Sequence, residues 1–236
     1  YNKLGDTGPE VSDICLGTMT WGSQMTDEKL AHELLEAYLA AGGNFIDTAE
    51  MYPVPPAPEY VGATEKLLGR WIAAHPEQRK KIIIASKVCG PFGGRLFVYD
   101  NRPDVPGVEL DKTKLPNHSR ANVLTGCEGI LQRLQTDYLD ILYLHWPARP
   151  IPVFGKAMYT AAMKDKHPLV GDNPYEPAAL EESIAAMGEL IKDGKIRHWA
   201  ISNESSFGVC TIAEICKRLG VPKPVCIQND FSLLDR

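Results

Sequence analysis

Three residues of the kinds that hold and move protons stand directly after apolar runs. Asp47 follows Phe45-Ile46, Lys87 ends the run Ile82-Ile83-Ile84-Ala85-Ser86, and His145 follows Leu139 to Leu144. A carboxylate, an ammonium and an imidazole gathered at one end of a set of strands can orient, donate and accept protons beside a reacting group. Taken singly, each has a plainer explanation: Asp47 as a turn cap, Lys87 as a side chain reaching solvent, His145 as a hydrogen-bonded core histidine. Taken together, they need an architecture that brings several strand ends to one place.

The rest of the chain supplies the elements for one. Short apolar runs occur at Ile14 to Leu16, Phe45 to Ile46, Ile82 to Ala85, Leu139 to Leu144, Trp199 to Ile201 and Val225 to Ile227. Between them, Asp27 to Ala41, Val61 to His75, Ser119 to Gln135, Pro177 to Asp193 and Phe207 to Leu219 carry apolar residues three and four apart among good helix formers. Glycine punctuates several helix ends, as Gly42-Gly43, Gly194 and Gly220 do. Strict alternation of strand and helix predicts a parallel sheet with right-handed crossovers. A doubly wound dinucleotide fold would place GxGxxG after its first strand, whereas this chain has Gly17-Thr18-Met19-Thr20-Trp21-Gly22. The other architecture, an α/β (β/α)8 TIM barrel, carries its catalytic groups at the C-terminal ends of several strands. That is the pattern of Asp47, Lys87 and His145, and the expectation is one barrel domain over residues 1–236 with about six βα units.

Composition narrows the function classes. The chain has 236 residues, 44% hydrophobic and 23% charged, and no apolar run long enough for a transmembrane helix. A net charge of −5 with scattered Lys and Arg gives no electrostatic ground for nucleic-acid binding. The cysteines Cys15, Cys89, Cys127, Cys210, Cys216 and Cys226 show no CxxC spacing and read as mostly buried thiols in a reducing compartment, cytoplasmic or an organelle interior such as plastid stroma after loss of a transit peptide. No HxH, HxxxH or HExxH pattern occurs, and His32, His75, His118, His167 and His198 fall on helix faces or loops, so no metal is expected. Two long connections, Val88 to His118 and Trp146 to Glu176, leave the same strand ends. Their aromatic residues Phe92, Phe97, Tyr99, Phe154 and Tyr159 suit substrate contact. Gly90-Pro91-Phe92-Gly93-Gly94 lacks the Lys-Ser/Thr of a phosphate-binding loop and reads as a turn.

At these residues the sequence resembles the aldo-keto reductase family. The resemblance runs from Leu4-Gly5 through Gly17 to Gly22, Asn44-Phe45-Ile46-Asp47-Thr48-Ala49-Glu50-Met51-Tyr52, Ser86-Lys87-Val88 and Asp137 to Pro147. It continues through Gly194-Lys195-Ile196-Arg197, Ile201-Ser202-Asn203 and Ile227-Gln228-Asn229. His145-Trp146-Pro147, Ser202 to Ser205 and Phe231-Ser232-Leu233-Leu234 are most similar to its Tas-like branch.

The resemblance implies a catalytic tetrad of Asp47, Tyr52, Lys87 and His145 and NADPH-linked reduction of an aldehyde or ketone, with NADH as the other cofactor to weigh. Reduction of a carbonyl needs hydride at carbon and a proton at oxygen. Tyr52 is the implied acid, with the Lys87 ammonium expected to lower its pKa. Asp47 would keep Lys87 charged, and His145 would donate a hydrogen bond to the carbonyl oxygen. By the same resemblance Ser202, Asn203 and Gln228 surround the nicotinamide carboxamide, Gly17, Thr18 and Met19 line the cofactor site, and Trp21 and Trp146 wall the substrate pocket. Core packing is the other reading for the two tryptophans.

The family barrel has eight strands, so the resemblance also implies two βα repeats beyond Arg236. The accompanying expectations are that the chain is part of a longer enzyme, is completed by a partner or oligomer, or is a non-catalytic subunit of a larger assembly.

Overall fold

A computed structural model of the chain describes residues 1–90, 95–149 and 178–233. A short antiparallel hairpin comes first, pairing β1 (Asn2–Lys3) with β2 (Glu10–Val11). It is followed by β3 (Leu16–Gly17), α1 (Glu28–Ala40), β4 (Phe45–Asp47), α2 (Ala63–Ala74), the single-turn α3 (Pro76–Arg79) and β5 (Ile83–Val88). The chain continues with a 3-10 helix (Leu96–Asn101), α4 (Arg120–Leu134), β6 (Leu139–Leu144), α5 (Leu180–Lys192), β7 (Ile196–Ser202), α6 (Ser206–Leu219) and β8 (Ile227–Gln228).

From β3 to β8 the strands form one parallel sheet in sequential order, six neighbouring strands in a barrel-like arrangement, as the alternation predicts. The helices start where the sequence supplies a cap. Asp27 accepts the Leu30 N–H at 3.1 Å, Ser119 the Asn122 N–H at 3.4 Å, and Ser205 the Gly208 N–H at 3.3 Å. Gly220, at φ 68°, ends α6 in the left-handed conformation that a side chain would resist.

Because side chains alternate along a strand, the sheet divides its residues between two apolar clusters. Ile84, Leu142, Leu144, Trp199 and Ile201 join the core beneath the helices. Ala85, Ile141, Tyr143 and Ala200 line the opposite, inner face with Val225, against which Leu4, Phe45 and Ile83 also pack. β6 is buried along its whole length, as expected of a strand covered on both faces.

The same alternation carries the inner face to the C-terminal ends of the strands. Phe45 is followed two residues on by Asp47, Ala85 by Lys87, Tyr143 by His145, and Ala200 by Ser202. The register sets their heights: Asp47 is level with Ala85, Lys87 with Tyr143, and Ser202 with Gln228.

Candidate active site

Lys87 is 1% exposed, and its ammonium uses three donors at close range. It donates to Asp47 Oδ1 at 2.7 Å and Oδ2 at 2.6 Å, to the Thr48 carbonyl at 2.9 Å, and to the Tyr52 hydroxyl at 3.4 Å. Burial alone would depress the ammonium, but Asp47 and Tyr52 hold it above the ordinary lysine value. Lys87 is therefore a cation at neutral pH.

Tyr52 reaches this group by continued strand pairing. Beyond the end of β4, the Thr48 N–H still donates to the Ala85 carbonyl at 2.9 Å and the Glu50 N–H to the Lys87 carbonyl at 3.1 Å. A turn closed by the Tyr52 N–H on the Ala49 carbonyl then swings the ring back over Lys87, whose Nζ lies 4.9 Å from the ring centroid. The sequence-based expectation that Lys87 lowers the Tyr52 pKa needs correcting. Burial raises it and outweighs the lysine's opposing pull, with Asp47 adding to the rise, so the phenol is held protonated.

The His145 ring meets Tyr52 edge to face, with centroids 5.8 Å apart. Burial, then the charge of Lys87 and the proximity of His118, hold His145 well below the ordinary histidine value, so the imidazole is neutral. Among the described residues its Nδ1 is buried without a hydrogen-bond partner. An orphaned N–H there would be costly, which assigns the proton to Nε2 and leaves Nε2 as the donor.

At the top of the neighbouring strands the Ser202 and Asn203 side chains are tied to each other and to the backbone of the adjoining strands. The Ser202 hydroxyl donates to the Gln228 carbonyl at 2.8 Å. Asn203, in the left-handed region at φ 57°, donates through Nδ2 to the His145 carbonyl at 3.0 Å and to Ser202 Oγ at 3.1 Å. Those bonds occupy the Asn203 NH2 group and leave its Oδ1 as an acceptor, with Gln228 paired to Ser202 on the adjoining strand. This is a donor and acceptor set that fits a primary carboxamide.

The other candidates are placed unequally. Gly17 pairs with Asp47 across the sheet. Thr18 is fully buried with its hydroxyl donated to the Asp47 carbonyl at 2.8 Å, so its side chain braces Asp47. Met19 is half exposed. Trp146 is buried and stacks on His145 at 6.2 Å between centroids, whereas Trp21 sits in the helix-covered core.

Of the loop aromatics, Phe97 packs against the cluster containing Tyr52. Tyr99 is buried, with its hydroxyl within hydrogen-bonding distance of two acceptors, the Lys114 carbonyl at 3.0 Å and Asn122 Oδ1 at 3.2 Å. Phe92, Phe154 and Tyr159 lie outside the described residues, as do His167 and residues 91–94 of the glycine-rich turn. His118 lies outside the helices and strands, as its place in the long connection predicts. The structure buries it against Gly90, and burial with the nearby Arg102 charge depresses it to about 4.

Among the described residues, all six cysteines are free thiols, no group of His, Cys, Asp and Glu is placed to hold a metal ion, and no helix is long and apolar enough to cross a membrane.

Comparison with known proteins points the same way. Protein tas of Escherichia coli (strain K12) is 40% identical over 236 residues, all of this chain and 61% of that protein. The uncharacterized oxidoreductase YrpG of Bacillus subtilis (strain 168) is 36% identical over 152 residues, 64% of this chain and 41% of YrpG. The crystal structure of a thermostable aldo-keto reductase in complex with the inhibitor epalrestat superposes with a TM-score of 0.62 at 26% identity, covering 98% of this chain and 62% of that one. The chain thus spans about three fifths of the length of these relatives or less. A sequence model of the aldo/keto reductase family matches residues 13–236, and with buried Lys87 joining Asp47 to Tyr52 at the strand ends, the chain belongs to that family.

Proposed function

We propose that the protein reduces an aldehyde or ketone to the alcohol, with NADPH as reductant and Tyr52 as the proton donor. The observation that carries this reading is the Lys87 ammonium shared between Asp47 and the Tyr52 hydroxyl. A proton leaving Tyr52 for a carbonyl oxygen creates a phenolate next to a fixed cation, which stabilises the charge as it develops. Asp47 keeps that cation in place and cannot itself reach the reacting oxygen while both its oxygens are engaged by Lys87. His145, neutral with its proton on Nε2, donates a second hydrogen bond to the same oxygen.

Ser202, Asn203 and Gln228 would hold the nicotinamide carboxamide, Gly17 and Met19 would flank it, and Trp146 would wall the substrate side. When bound, the nicotinamide supplies hydride to the carbonyl carbon.

Titration of the protein with NADPH, followed by cofactor fluorescence, and turnover of an aldehyde panel test the proposal. Micromolar binding is expected, and Tyr52→Phe should lower kcat by about a hundredfold or more, as loss of a general acid does. Tight association with a protein partner and no NADPH binding would instead make the chain a non-catalytic subunit and sink this reading.

A further inference from the structure

Lys87 is also held from the opposite face of its strand, by charges that the proposed chemistry does not use. Its neighbour Ser86 points into the helix layer, where its hydroxyl donates to Glu65 Oε1 at 2.5 Å, and Glu65 Oε2 accepts from Arg133 Nε at 2.6 Å. Two residues past Lys87, the Cys89 N–H donates to Glu50 Oε2 at 2.7 Å. Glu50 in turn receives Arg102 Nε at 2.6 Å and Nη2 at 2.8 Å.

The two ion pairs are joined, because Arg133 Nη1 donates to the carbonyl of Asn101, next to Arg102, at 2.5 Å. None of the four side chains is more than 5% exposed. Helix α4 makes room with Gly129, where a Cβ would crowd the Arg133 guanidinium and the Asn101 carbonyl, and with Gly126, where it would overlap Val88 and press on Arg102, although glycine weakens a helix interior.

Buried ion pairs are a poor source of stability, since apolar side chains of similar volume often serve as well or better. What these pairs do supply is a fixed position for the backbone on either side of Lys87. We propose that Glu50, Arg102, Glu65 and Arg133 are positioning residues for carbonyl reduction: anchored to Ser86 and Cys89, they hold the Lys87 ammonium against the Tyr52 hydroxyl. Glu50 serves both sides of that contact, because its own N–H fixes the segment leading to Tyr52 onto the Lys87 carbonyl. The inference rests on Tyr52 being the proton donor.

The test uses the full-length protein with NADPH and an aldehyde that it turns over. Glu65→Leu/Arg133→Leu removes one pair without stranding a charge, and Ser86→Ala cuts the strand contact while leaving both pairs intact. In each variant KM and the NADPH Kd should stay within about twofold of wild type, while kcat falls about tenfold or more in the double variant and by a smaller factor in Ser86→Ala, the scale of a sub-ångström misplacement.

Among the described residues, the charged groups acting on the Tyr52 hydroxyl are Asp47 from β4 and Lys87 from β5, and the neutral His145 ring after β6 meets the Tyr52 ring edge to face. A retracted Lys87 leaves the phenol harder to ionise, so the high-pH limb of kcat should move to higher pH. A folded Ser86→Ala variant with wild-type kcat and an unmoved limb overturns the inference, whether or not the double variant folds. Failure of the underlying reading looks different, because Tyr52→Phe would then leave wild-type turnover intact.

Discussion

Replacing Lys87 by methionine should destabilise the fold as well as stop proton delivery, and a double-mutant cycle with Asp47→Asn separates the two effects. At 2.6 Å, the Coulomb attraction of the pair is about 6 kcal/mol for an effective dielectric constant of about 20. Withdrawing the two ions from water costs several kcal/mol each, so the intact pair contributes little net stability. Removing one member alone leaves the other in a site where Lys87 is 1% and Asp47 8% exposed. Each single substitution should therefore cost about 3–5 kcal/mol. The Asp47→Asn/Lys87→Met variant should cost little more than either, for a coupling of about 3 kcal/mol. Urea unfolding followed by circular dichroism at neutral pH measures all four corners. Single effects that add to within about 0.5 kcal/mol would refute the closed buried pair on which the tyrosine argument depends. Turnover should be lost in every variant lacking Lys87, the double variant included.

Two further perturbations have signed outcomes. His118 is depressed to about 4 by burial and by Arg102, so between pH 6.5 and that value the unfolded chain takes up a proton that the folded chain refuses. Its contribution is then full above pH 6.5 and falls by about 3 kcal/mol as the pH drops toward 4. His118→Gln should flatten urea-derived stability against pH across that window, and an unchanged slope would contradict the burial of a neutral ring. At Gly69 a Cβ would overlap the Arg133 carbonyl oxygen where α2 crosses α4. Gly69→Ala should therefore lower stability by about 1–3 kcal/mol in a thermal melt, and a neutral result would mean that the helices are farther apart.

Much of the scaffold was legible because strand and helix periods differ so plainly. The predicted helix over Ser119 to Gln135 became Arg120–Leu134 with both flanking residues as caps, and the predicted strand over Leu139 to Leu144 matches β6. Alternation alone places Asp47, Lys87 and His145 on one face. Tyr52 was not legible in this way, since its position depends on a turn after the strand and on backbone bonds to β5. Strands β1 and β2 escaped because two-residue strands at an exposed edge carry no periodic signal.

The buried charges were missed for a subtler reason. Glu65 and Arg133 lie within Val61 to His75 and Ser119 to Gln135, segments whose apolar spacing marks them as helices without singling out either charge. Yet Glu65 lies three, four and seven residues before the buried Leu68, Gly69 and Ile72, and Arg133 three and four residues after Ile130 and Gly129. A charge in register with an apolar stripe was the available signal. Its partner on another element could be found only in three dimensions.

Ser86 and Lys87 are adjacent in the chain, yet one faces the helices and the other faces the site. Deleting a single residue early in β5 would exchange those faces, sending the ammonium into the helix layer and the hydroxyl toward Tyr52. Descent with changes in length is thereby channelled away from β5 and into the connections between elements. Within β5 the spacing has almost no freedom, and homologues that keep this chemistry should differ there by substitution and not by indel.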